Sequence, residues 1–99
     1  MEQALTIFQA LADMTRLRIL ALLHEMELSI GEVAQVLRQS QPRVSRHVKI
    51  LADAGLIERR KEGSWVFLTL GTPEILEAGF MALDQIGRAH VLTSVTPSK

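Results

Sequence analysis

Apolar residues recur at the helical period in four successive stretches before Gly55 and again after Gly71, with a short β-like stretch between them. In Gln3 to Ala12, Leu5, Phe8, Leu11 and Ala12 form one stripe. Asp13 then reads as the N-cap of a helix over Thr15 to Glu27. There Leu17, Leu20, Ala21 and His24 mark one face, and Ile19, Leu22, Leu23 and Met26 broaden it. A helix apolar over so much of its girth is expected at the centre of the fold. Ser29 followed by Glu32 is a capping box that opens Ile30 to Leu37, with Ile30, Val33, Ala34 and Leu37 inward.

The most informative stretch is Ser40 to Gly55. Ser40 is an N-cap, Pro42 suits the first turn, and Gly55 can take the left-handed conformation that ends a helix. At about 100° per residue, Val44, Val48 and Leu51 stack on one side while Gln41, Pro42, Ser45, Arg46 and Lys49 point away. The short Arg38–Gln39 connection to the preceding helix gives a helix-turn-helix arrangement, whose second helix has the basic, hydrogen-bonding outer face that a major groove accepts. Beyond Gly55, Leu56 to Arg60 and Ser64 to Leu70 read as two strands around a Lys61-Glu62-Gly63 tip. Thr72-Pro73-Glu74 starts a last helix that runs to about His90, with Ile75, Leu76, Gly79, Phe80, Leu83, Ile86 and Gly87 on a broad apolar surface. Residues 92–99 show no period and are expected to be a flexible tail. The fold class is therefore mainly α with a small β-hairpin, five helices and two strands in a single domain over 1–99.

Composition narrows the function. The chain has 99 residues, 47% of them apolar, enough for a modest core and too many for a disordered chain. No apolar run approaches the roughly 18 residues of a membrane span, and no signal-peptide layout opens the chain, so a cytoplasmic address with no membrane partner is expected. Cysteine is absent, which removes disulfides and thiol redox chemistry. Net charge is zero, yet Arg38 to Lys61 holds seven basic residues against Asp53 and Glu58, a local +5 that leaves −5 elsewhere. Such segregation is an electrostatic footprint for nucleic acid that the total hides.

The expected DNA contacts are assigned by chemistry. Gln41, Ser45 and Arg46 are the groove readers: Arg46 can pair with O6 and N7 of guanine, and Gln41 with adenine or a phosphate. Arg43 and Lys49 flank the helix and suit the backbones, and the Pro42 ring suits a thymine methyl. Arg59, Arg60 and Lys61 place a basic strand against phosphates or the minor groove, although a solvent-exposed hairpin would look the same. An enzyme is disfavoured, because Ser45 and His47 lie two apart on a helix and cannot face each other as nucleophile and base. The terminal helices, residues 3–12 and 73–90, carry more apolar surface than one small domain needs. They either close a monomer core or meet their mates across a two-fold axis.

Asp13-Met14-Thr15-Arg16-Leu17-Arg18-Ile19-Leu20, the Ser40-to-Leu51 run, Ala54-Gly55-Leu56-Ile57 and Arg59-Arg60-Lys61-Glu62-Gly63 together closely resemble the arsenical-resistance (ArsR/SmtB) family of winged helix-turn-helix repressors. The resemblance covers about residues 4 to 90. It implies a homodimeric repressor of a palindromic operator in double-stranded DNA, with Arg59 to Lys61 in the wing. The dimer interface it implies falls on Leu5, Phe8, Leu11, Ile75, Leu76, Gly79, Phe80, Leu83 and Ile86, and release by a small-molecule effector or metal is the family's habit. A hydrophobic cleft under the last helix could hold an organic effector.

Departures from the family pattern limit the sensing chemistry. Where the family carries its cysteine motif, this chain has Glu27-Leu28-Ser29-Ile30-Gly31-Glu32, which offers no thiolate for soft metals. The family's last-helix site would have to use Glu74, Glu77, Asp84 and a single His90, a poor zinc set, so no metal and no cofactor are expected. His24 is expected to be a partly buried hydrogen-bonding residue, and His47 to touch backbone or core as well as the DNA interface. Ser40 to His47 and Glu62-Gly63-Ser64-Trp65-Val66 also look like the branch fused to an S-adenosylmethionine-dependent methyltransferase, though no Gly-rich loop for that enzyme lies in these residues. A non-enzymatic protein-interaction winged helix is the remaining alternative.

Overall fold

The computed structural model describes residues 2–94, with the side chains of residue 82 and residues 86–94 left out of the description. Five helices and three strands follow in the order α1 (Glu2–Leu11), α2 (Met14–Glu25), β1 (Leu28–Ser29), α3 (Ile30–Leu37), α4 (Gln41–Asp53), β2 (Ile57–Glu62), β3 (Trp65–Leu70) and α5 (Pro73–Ser94). The last helix runs four residues past the expected end near His90, so residues 92–94 are helical and only 95–99 lie outside the described range.

Side-chain caps start the helices as the sequence indicates. Asp13 accepts from the Arg16 amide at 3.1 Å, and Ser40 accepts from the Arg43 amide at 3.3 Å. Ser29 and Glu32 form the reciprocal capping box. The turn into α4 has no glycine: Arg38 itself adopts the left-handed conformation, φ 57°, while the Gln39 amide donates to the Ala34 carbonyl. At the far end of α4, Gly55 is left-handed, φ 79°, and the Leu56 amide donates to Leu51 across the turn.

The sheet differs from the expected hairpin in two ways. It has three antiparallel strands in the order β1-β3-β2, with Leu28 and Ser29 paired to Leu68 and Phe67. A two-residue strand shows no alternation and is invisible to periodicity. The hairpin also closes later than expected: Glu62 pairs with Trp65, so Lys61 and Glu62 are strand residues and the tip is Gly63-Ser64, with Gly63 at φ 61°.

The core is contiguous. Val44, Val48 and Leu51 of α4 are fully buried against Ile19, Val33, Leu56 and Leu68, and α2 adds Leu20 and Leu23. At fully buried Leu/Ile/Val sites each side chain is worth roughly 1.5–3 kcal/mol of burial, so α4 is held rigidly by its underside. On α1 the buried residues are Ile7, Ala10 and Leu11, while Leu5 points outward. Gly79 of α5 sits on Ile7 and Leu11, where a methyl group would lie 3.0–3.1 Å from their side chains.

Gly71 closes the sheet against the end of α4. Its amide donates to Leu56 at 2.8 Å, and a Cβ there would run into the Gly55 carbonyl oxygen. Gly71→Ala should lower unfolding free energy by about 1–3 kcal/mol, as overpacking against fixed backbone does. A thermal midpoint equal to that of the unsubstituted protein would show that the turn has room to move.

Candidate nucleic-acid interface

α4 presents its outer face as its capped, amphipathic sequence requires. Gln41, Pro42, Arg43, Ser45, Arg46 and Lys49 are all exposed over the buried Val44–Val48–Leu51 underside. Among the described residues no ion pair engages Arg43 or Arg46, whereas Lys49 Nζ lies 2.9 Å from the Asp53 carboxylate one turn on. Two open depressions flank the helix. One, about 540 Å³, lies toward α2 and includes Arg43, Arg46 and His47; the other, about 360 Å³, lies toward the hairpin and includes Gln41, Ser45 and Ser64.

His47 is half-buried and turned toward α2, in keeping with the expected contact to the core. Arg16 Nη1 donates to His47 Nδ1 at 3.1 Å. A guanidinium has only donors, so Nδ1 must accept and the neutral ring carries its proton on Nε2. Burial, together with the nearby Arg16, Arg43 and Arg46 charges, holds the His47 pKa below its ordinary 6.5 despite the opposing pull of Asp13. Desolvation pushes the Asp13 carboxyl up, but its hydrogen bond from the Arg16 amide and the Arg16 charge win and hold it below its ordinary value. Arg16 also donates through Nε to the Ala10 carbonyl at 2.6 Å and through Nη2 to Gln9 at 3.2 Å. One side chain thus joins the end of α1, the start of α2 and α4. In sequence Arg16 is only part of a motif; the sign of its role is that α1 ends without a cap of its own.

The three hairpin cations, Arg59, Arg60 and Lys61, divide by face. Register pairs Arg59 with Leu68 and Lys61 with Val66, on the face that carries buried Leu68. Arg60 pairs with Phe67 on the other face, lying 5.2 Å from that ring's centroid. It also bonds the Glu27 carboxylate at 2.6 Å and Glu62 at 3.0 Å. Arg60 therefore braces the hairpin against the start of β1 instead of offering a free charge. Periodicity placed it in the basic strand, but only the position of Glu27 shows what it holds.

The other expected sites sort by burial. His24 is exposed beside Glu25, not partly buried. Leu11, 1% exposed, and Gly79 are packed inside the chain and cannot touch a second copy directly. Ile75, Leu76 and Leu83 lie partly buried on the same core, and Phe8 is half-buried. Leu5, Phe80 and Met81 remain open to solvent, at 56%, 47% and 59%. The Ile86 and His90 side chains lie outside the described residues. Beside the first turn of α5, a depression of about 410 Å³ is lined by Glu2, Thr6, Asp53 and Ile75, more polar than the expected hydrophobic cleft. Among the described residues no group of three His, Asp or Glu is placed to hold a metal, and no helix is long and apolar enough to cross a membrane.

With this geometry in place, comparison with known proteins is direct. The family model of a helix-turn-helix domain matches residues 11–60. The arsenical resistance operon repressor of Escherichia coli (strain K12) is 40% identical over 85 residues, covering 85% of this chain and 72% of that one. The chain belongs to the ArsR family of winged helix-turn-helix transcriptional regulators. HlyU from Vibrio cholerae N16961 superposes with a TM-score of 0.71 at 36% identity, covering 82% of this chain and 88% of that one. The homodimeric winged helix-turn-helix DNA-binding domain from Mycobacterium bovis gives 0.74 at 26% identity, covering 99% and 89%. In this ArsR-family chain α4 is accordingly the recognition helix, β2 and β3 are the wing, and the protein is a DNA-binding transcriptional regulator.

The His47 contact has a defined pH dependence. A folded-state pKa held below the unfolded value means that the contact stabilises the protein above the unfolded pKa and is lost as pH falls through the folded one. In an NMR titration the His47 ring should change charge below pH 6.5, and the Arg16 side-chain signals should move with it. A midpoint at or above that value would show that burial and the surrounding arginines do not hold the ring neutral.

Proposed function

We propose that the chain acts as a homodimeric repressor, placing its two α4 helices in successive major grooves of a palindromic operator. The observation that carries this reading is the face of α4. Gln41, Ser45, Arg43 and Arg46 stand outward on a helix whose underside is fully buried, and among the described residues no ion pair engages either arginine. Arg46 reads a guanine, Gln41 and Ser45 contact base edges or sugar on the wing side, and Arg43 grips a phosphate. Arg59 and Lys61 bring the wing to the backbone, and Arg60 sets the wing's angle. The exposed Leu5, Phe80 and Met81 on neighbouring α1 and α5 supply the apolar patch for the second copy, and the homodimeric Mycobacterium bovis domain supports that arrangement. A signal that releases the operator would act through this dimer.

Binding to duplexes that tile the region upstream of its own gene tests the reading. Arg46→Ala should cost about 1–3 kcal/mol per half-site and relax discrimination at one base pair of each, while Lys61→Ala should weaken all sequences alike and reduce the salt slope by about two, one per protomer. Arg60→Ala should weaken binding with the slope unchanged, since it neutralises no phosphate. Equal affinity of Arg46→Ala for operator would remove the base-reading role, and a reduced slope for Arg60→Ala would make it a phosphate contact.

Paired substitution of Leu5 and Phe80 by glutamate should convert the dimer to a monomer in sedimentation and weaken operator binding sharply. A doubly substituted protein that sediments as the parent does would place the interface elsewhere.

A further inference from the structure

The depression between α2 and α4 shares Arg43 and Arg46 with the helix face and extends beyond it onto α2, and its lining is chemically specific. Thr15 and Arg16 come from the first turn of α2, Gln39 from the helix-turn-helix connection, and Arg43 and Arg46 from α4, around about 540 Å³ of open space. Three guanidiniums here meet one carboxylate, Asp13, which is already engaged by the Arg16 amide. The cleft is thus net cationic. In this orientation of the Gln39 amide, Nε2 donates to Thr15 Oγ1 at 3.3 Å and the Thr15 proton is left to donate.

The dimensions of the duplex say what lies there. A helix with its side chains is about 10–12 Å across, and the major groove is about 12 Å wide. With α4 in the groove, the two backbones that bound it must run along the helix flanks. Arg43 and Arg46, one turn apart, border the α2-side flank and Thr15 stands across the cleft from them.

We propose that this cleft seats a backbone phosphate of the duplex, with the Thr15 hydroxyl donating to its oxygen and Arg43 on the facing wall. The interface then extends past the helix-turn-helix and wing onto α2. Asp13 keeps the α2 terminus capped, and Arg16 keeps that terminus docked to α4, so the two walls of the seat are held at fixed spacing. This rests on α4 occupying the major groove.

The test is an anisotropy titration of fluorescein-labelled duplexes of about 30 base pairs, roughly three turns, from the region upstream of the gene. Thr15→Val, which keeps the shape and loses the donor, should bind about a hundredfold more weakly, the scale of two hydrogen bonds to charged groups, one in each half-site. Thr15→Glu should bind more weakly still, while Ala21→Glu, an equal charge at an exposed position elsewhere on α2, should bind as the parent does. Melting curves by circular dichroism identify any variant that fails to fold; the near-isosteric Thr15→Val then decides alone. In a duplex series with single neutral methylphosphonates, the parent should be weakened at one phosphate per half-site to which Thr15→Val has become indifferent. Parent-like affinity of Thr15→Val, or undiminished sensitivity of that variant at every phosphate, overturns the seat. If the parent binds no duplex, placement of α4 in the groove fails first and takes the seat with it.

Discussion

The Arg16 guanidinium is the joint on which the arrangement depends. α1 ends without a capping side chain, and its last carbonyls need donors. Arg16 supplies them at Gln9 and Ala10, while a third nitrogen reaches His47 on the recognition helix. Because a guanidinium is planar and permanently charged, its donors point in fixed directions, and the three partners are locked at fixed angles. The cost of bringing that charge partly indoors is offset by hydrogen bonds at Nε, Nη1 and Nη2 and by Asp13 beside it. The helix that carries exposed Leu5 and the helix that faces DNA are thus joined through one residue.

The recognition helix gains its rigidity from both ends and from below. Val44, Val48 and Leu51 anchor it in the core. The left-handed Gly55 and the tight approach of Gly71 fix where it stops and where the wing begins. A reading helix needs such support, since side chains that contact base edges are useful only if the backbone holds them to within a fraction of an ångström. The wing is braced separately, through Arg60 to Glu27 and across Phe67. In this region one cation is used to hold the hairpin, while Arg59 and Lys61 stand on the opposite face with no ion pair among the described residues.

Much of this was legible in the chain. The capping box at Ser29–Glu32 and the bounds of α3 follow from local chemistry, as do the Ser40 cap, the Gly55 stop and the division of α4 into buried and outward faces. Local signals of this kind involve residues within one or two turns of each other, so they survive without knowledge of the rest of the fold. The candidate DNA face was legible for the same reason, as every side chain on it belongs to one short helix. Strand β1 was not, since its two residues are extended only because β3 offers them hydrogen-bond partners.

Sequence by itself determined the helix-turn-helix, the outward Gln41, Ser45 and Arg46, and the segregation of positive charge onto residues 38–61. Tertiary structure alone decided which of those charges are free. Arg60 is occupied because Glu27, far away in the chain, lies beside it, and His47 is turned inward because Arg16 needs an acceptor there. It also decided that Leu11 and Gly79 pack within the chain, leaving Leu5 and Phe80 exposed. Periodicity specifies which side of a helix is apolar; which part of that side is already covered depends on how neighbouring helices cross, and that is set by the shapes they bury together.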